Sequence, residues 1–150
     1  MTDPLHFAFD VDCAPAHAFA LWTSRLSTWW PADHSVSGVA PLDVVLEGRV
    51  GGRIYERTRT GEVHEWGTVT SWDPPSALTY TWRLGADRAE ATDVEIRFLP
   101  VGEAKTRVEI DHRGWERLGT SGPARRERNQ HGWGSVLPHF VEAVEKEAQQ

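Results

Sequence analysis

The stretch EGRVGGRIYER, residues 47–57, sets two adjacent glycines inside an alternating apolar and polar run. Glycines that cradle a phosphate are followed by a helix whose N-terminus faces the anion, often with a Lys-Ser/Thr pair. Here they are followed by RIYERTR, which alternates as a strand does, and no Gly-Lys-Ser/Thr occurs. Gly51 and Gly52 therefore read as a bulge or sharp bend where a strand follows a curved sheet. Nucleotide chemistry is set aside, and the search turns to a pocket.

Working outward, the same period of two recurs. DVVLEGRV and GRIYERTR flank the glycines, and EVHEWGTVTSWD follows, stopped by Pro74 and Pro75. Leu78, Tyr80, Trp82 and Leu84 share one strand face, as do Val94, Ile96 and Phe98, and then Val108, Ile110 and His112. Short turns rich in Gly, Pro or charge separate these runs, the pattern of an antiparallel meander with one buried face. LHFAFDVD (5–12) is a further strand. Pro15 opens a short helix over AHAFALWTS, and RLSTWWP (25–31) supplies a second, stopped at Pro31.

The period changes near the end. Trp133, Val136, Leu137, Phe140, Val141 and Val144 form one stripe of a long amphipathic helix. Pro138 either kinks that helix or stands in the first turn of one that begins near Val136. Residues 113–130 read as an irregular link before it. The expected fold class is α+β: a curved antiparallel sheet wrapped around a long C-terminal helix, with two short helices after strand 1, in a single domain over 1–150.

The totals limit function. One hundred and fifty residues suit one sizeable core, and a net charge of −6 argues against a nucleic-acid partner. No apolar run reaches the roughly 20 residues that span a bilayer, and the N-terminus lacks a signal-peptide pattern, so no membrane insertion and a cytoplasmic location are expected. Cys13 is the single cysteine, which excludes an internal disulfide. The seven histidines are scattered, with no metal-ligand spacing, so no metal and no cofactor are expected. No Gly-x-Ser-x-Gly elbow marks a serine nucleophile. Arg125, Arg126 and Arg128 form a small basic cluster that reads as a solvated face. The eight tryptophans are the anomaly: they form an aromatic core, an aromatic-lined cavity, or both.

WTSRLSTWWP (22–31), EGRVGGRIYER (47–57), EWGTVTSWDPPSALTYTW (65–82), TRVEIDHRGWE (107–116) and HGWGSVLPHF (131–140) occur in an order that resembles the activator of heat-shock-protein-90 ATPase homologue family. That family belongs to the START-related, birch-pollen-allergen-like superfamily. The resemblance implies the helix-grip fold, a cavity between sheet and long helix, and two short helices closing one end. It also implies a choice of roles: a small-molecule binder, a protein that sequesters a toxic natural product, or a co-chaperone with a chaperone partner. The superfamily contains cyclases and hydrolases too. The chain reads as a lone domain, without the extra domain of the eukaryotic co-chaperones.

The first expectation is a protein that binds a small hydrophobic or aromatic ligand. Trp82, Tyr80, Phe98, Trp133, Leu137 and Phe140 would form the walls, Trp30 beside Trp29 would cap one end, and Trp115 would lie near the opposite mouth. Glu56 and His112 would face inward and orient a polar group. The same pair, acting as base and acid, would carry a cyclase or hydrolase reading. The bland alternatives are that the rings merely fill the interior, that His112 is hydrogen-bonded at a strand end, and that Glu56 sits at a wet rim.

Overall fold

A computed structural model describes residues 2–38, 43–83 and 91–148. Seven strands, β1 (Leu5–Val11), β2 (Asp43–Leu46), β3 (Arg53–Arg57), β4 (Val63–Asp73), β5 (Ala77–Trp82), β6 (Thr92–Gly102) and β7 (Lys105–Arg113), form one antiparallel sheet. Its order is β1-β7-β6-β5-β4-β3-β2. Helix α1 (Pro15–Trp22) and two single 3-10 turns, Leu26–Thr28 and Ala32–His34, follow β1. A 3-10 segment, Trp115–Ser121, leads into the long helix α2 (Gly122–Ala148). Leu84 and nearly all of the 85–91 turn lie outside the described residues.

The period-two faces become rows across the sheet. Leu78, Ile96, Ile110 and Phe7 stand opposite one another, and so do Tyr80, Val94, His112 and Leu5. Apart from Phe7, which is half-buried, all of these are buried. The alternate residues point to the convex face and pair their charges: Arg97 reaches Asp111 at 2.6 Å and Glu109 at 3.2 Å, and Arg113 reaches Glu95 at 3.0 Å. Register shifts within the β3–β4, β4–β5 and β6–β7 ladders mark bulges that curl the sheet.

The double glycine is not a bend within one strand, as its alternation suggests. It closes the hairpin between β2 and β3. Gly51 takes φ +85°, where glycine alone is at ease. Gly51 N–H donates to the Val69 carbonyl and Val69 N–H donates to the Gly52 carbonyl, both at 2.8 Å, so the turn is stitched to β4. A Cβ on Gly52 would meet the Glu47 carbonyl oxygen at 2.2 Å. Both atoms are fixed by hydrogen-bonded backbone, so Gly52→Ala is expected to destabilise by about 2 kcal/mol, the scale of a forced backbone shift. A chemical-denaturation midpoint equal to that of the parent would contradict this.

Helix α2 starts earlier than its apolar stripe implies. The polar run PARRERNQHG, with Pro123 in the first turn, is helical from Gly122. Pro138 lies well inside the helix rather than at its start, and leaves the Gly134 carbonyl without its i+4 donor. Trp133, Val136, Phe140 and Val144 face the sheet and are buried. Glu147 ties the end of α2 to His17 of α1 at 3.4 Å and to Arg25. Among the described residues no helix is long and apolar enough to cross a membrane.

Candidate functional site

The space between sheet and helix is occupied by rings. Trp30 lies 5.3 Å from Trp66 and 5.7 Å from Trp82, centroid to centroid, and Trp66 lies 5.7 Å from Trp82. Trp22, Trp29 and Phe140 meet at 5.0–5.2 Å. Tyr80, Phe98 and Phe140 are at most 2% exposed and sit inside this cluster rather than on a wall.

A recess of about 60 Å³ lies at the end of the sheet where β5 stops and β6 begins. Trp30, His34 and Trp82 line one side, and Asn129, Gly132, Trp133 and Val136 of α2 line the other. The structure thus brings together three expected residues, Trp30, Trp82 and Trp133. Leu137 faces the outer side of α2, against β1. Trp115, expected near the opposite mouth, packs on His112 at 4.4 Å, at the same end of the sheet as Trp82. His34, Asn129 and Gly132 carry no apolar periodicity, so sequence patterning could not single them out.

The indole N–H groups show what is already committed. Trp29 donates to the Leu21 carbonyl, Trp30 to the His34 carbonyl, Trp66 to Glu56 and Trp115 to the His112 carbonyl, all at 2.8–3.0 Å. Trp22 bonds the Tyr80 hydroxyl, whose pKa burial pushes up. The Trp82 indole N–H, at the recess, has no such partner among the described residues.

His112 is wholly buried and fully bonded. Trp133 Nε1–H donates to its Nδ1 at 2.9 Å, and an indole can only donate, so Nδ1 is the bare nitrogen. The proton therefore sits on Nε2, which donates to Thr92 Oγ1 at 2.6 Å, and that hydroxyl donates to the Trp82 carbonyl at 3.2 Å. Burial, with the charge of Arg125 added, holds the imidazole down to about 3. At neutral pH it is neutral, and both ring nitrogens are occupied.

Glu56 is also wholly buried. One carboxylate oxygen accepts from Val36 N–H at 2.6 Å and Trp66 Nε1 at 2.9 Å, and the other from Ser37 N–H at 3.2 Å. Burial alone would raise its pKa; the donors from Trp66, Val36 and Ser37 outweigh it and hold the carboxyl below its ordinary range. The rings of Trp66 and Trp82 stand between this anchor and the His112 chain. The Cys13 thiol is pushed up to about 11 by burial, assisted by Glu147 and Asp12. Among the described residues no group of His, Cys, Asp or Glu is clustered to hold a metal.

The sequence profile of the family described as "Activator of Hsp90 ATPase homolog 1-like protein" matches residues 12–145. The chain belongs to that family. No curated protein matches the chain. Among solved structures, the self-sacrificing resistance protein CalC from Micromonospora echinospora is 30% identical; the match covers 97% of this chain and 96% of CalC, with a TM-score of 0.75. The anthrahydroquino-gamma-pyrone synthase Txn09, solved as a complex, is 32% identical over 80% of this chain and 82% of its own, with a TM-score of 0.58. An Hsp90 activator from Plasmodium falciparum shares the fold at 17% identity and a TM-score of 0.66, covering 95% of both chains. The family's helix-grip architecture, a curled sheet closed on a long C-terminal helix, is the one described above.

Proposed function

We propose that this family member binds a planar hydrophobic or aromatic small molecule at the recess between Trp30, Trp82 and helix α2. The observation that carries the reading is the Trp82 indole: its ring lines the recess, and among the described residues its N–H has no partner. Ligand sites combine apolar walls with a few unspent polar groups, and that is the local composition here. The 60 Å³ recess admits only the edge of such a molecule. Deeper seating requires Trp30 to part from Trp66 and Trp82. The names of two relatives above 25% identity agree with this class: one is a resistance protein, the other a synthase named for a fused aromatic product. The family's description also leaves room for a chaperone partner. His112 and Glu56 hold walls in place in this reading and carry no proton transfer, because their hydrogen-bonding capacity is already used.

The test is a ¹H–¹⁵N correlation spectrum recorded during titration with fatty acids, flavonoids and aromatic polyketides. The Trp82 indole signal should move saturably with the aromatic class, while Trp22 and Trp29 move little. Trp82→Phe keeps a ring and removes the donor, so affinity should fall about tenfold with the fold intact, the worth of one hydrogen bond. A panel that leaves every indole signal in place would end the proposal.

A further inference from the structure

Another apolar concavity lies elsewhere. A groove of about 720 Å³ runs between β1 and the outer side of α2, lined by Phe7 and Phe9 on one side and Gly134, Leu137, Pro138 and Val141 on the other. One wall of it, β1, is the edge of the sheet: it pairs with β7 on one side only. Seven residues are paired with β7 without a bulge, and none is proline. Edge strands are ordinarily blunted by bulges, proline or lysine, since their open N–H and C=O groups recruit another strand. β1 carries none of these, and Asp10 is its one carboxylate.

We propose that β1 pairs with β1 of a second copy of this chain, antiparallel about a two-fold axis at Ala8, and that the groove is covered in the same contact. The register supports this occupant. A strand meeting its own copy pairs residues symmetrically about the axis, and a closed two-fold contact uses the same patch twice. Centred on Ala8, all seven residues pair. His6 stands opposite the partner's Asp10, Phe7 opposite the partner's Phe9, and Leu5 opposite the partner's Val11. A hydrogen-bonding His6–Asp10 pair then meets on the convex face and aromatic rings on the groove face, both favourable cross-strand pairs. An axis at Phe7 or Phe9 brings His6 or Asp10 against alanine and leaves strand ends unpaired. His6 is suited to the contact. It is 53% exposed and its Nδ1 is held by Asp111 at 2.7 Å. Among the described residues its Nε2 has no partner. Asp10 is 44% exposed, and among the described residues its ion pair is a distant Arg107 at 3.8 Å.

Sedimentation velocity at increasing protein concentration should show the mass double. Asp10→Lys should weaken self-association at least tenfold, and His6→Asp with Asp10→Lys should restore it, because the pair is then reversed rather than lost. Facing Cβ atoms in such a ladder lie about 5 Å apart. Ala8→Cys in a Cys13→Ser background should therefore give a disulfide-linked dimer with diamide as oxidant, and Asp10→Cys should not. Circular dichroism confirms that each variant is folded. A monomer up to several hundred micromolar overturns the proposal. So does a dimer that Ala8→Cys fails to link or that Asp10→Lys leaves unchanged.

Discussion

Trp66→Ala is expected to lower the unfolding free energy by about 5 kcal/mol or more, which consumes most of the margin of a typical domain. Two effects add. The ring is wholly buried and touches Trp30 and Trp82, so its removal leaves a void in the densest part of the cluster. Truncating a buried tryptophan costs about 3–5 kcal/mol on that account. The indole also donates to Glu56, and without it a buried carboxylate keeps only the Val36 and Ser37 amides. Trp66→Phe separates the two effects. It keeps a ring, removes the donor, and is expected to cost about 1–3 kcal/mol. Urea unfolding of the three proteins at neutral pH measures both numbers. A Trp66→Ala variant within 2 kcal/mol of the parent, on the scale of a mild core change, would show that the cluster collapses freely around the loss.

The second large effect is acid lability governed by His112. Folded, its imidazole is held at about 3; in the unfolded chain it returns to 6.5. Between those values the unfolded state takes up a proton that the native state refuses. Stability is thus complete above 6.5 and is lost as pH falls toward 3. Each pH unit in that window removes up to about 1.4 kcal/mol. The carboxylates Glu56, Glu109 and Asp111, all held below their ordinary range, add their own losses only at lower pH. The interval from pH 6.5 to 5 therefore separates His112 from these carboxylates, with an expected loss of about 2 kcal/mol. His112→Leu should be less stable at pH 7.5, because Trp133 N–H and Thr92 Oγ1 lose their partner. Its pH profile should be flatter across the same interval. Parallel profiles for the two proteins would assign the acid sensitivity to other groups.

The sheet was legible because one face is buried: Leu78, Tyr80 and Trp82 or Val108, Ile110 and His112 must alternate to fill it. The hairpin at the double glycine was not, because Val50 continues the alternation into the turn. There it is 64% exposed, an apolar residue with no core to face. The start of α2 was hidden for the opposite reason. Its first turns, from Pro123 to His131, are largely exposed and need no apolar stripe. Trp30, Trp82 and Trp133 could be brought to one site from Pro31, strand parity and helical spacing. The Trp133–His112–Thr92–Trp82 chain could not, since its members are 20 or 21 residues apart at the first two links and no local period encodes them.

The aromatic cluster has an optical consequence. Trp115, His112, Trp133, Trp22, Trp29, Trp30, Trp66, Trp82 and Tyr80 form an unbroken series of neighbours, each ring within 6.2 Å of the next. At such separations indoles exchange excitation far faster than they emit. Light absorbed by Trp133, Trp22, Trp29, Trp30, Trp66 or Trp82 drains to whichever of these indoles is lowest in energy, so those six emit as a single chromophore. A quencher seated against Trp82 alone would darken rings it never touches.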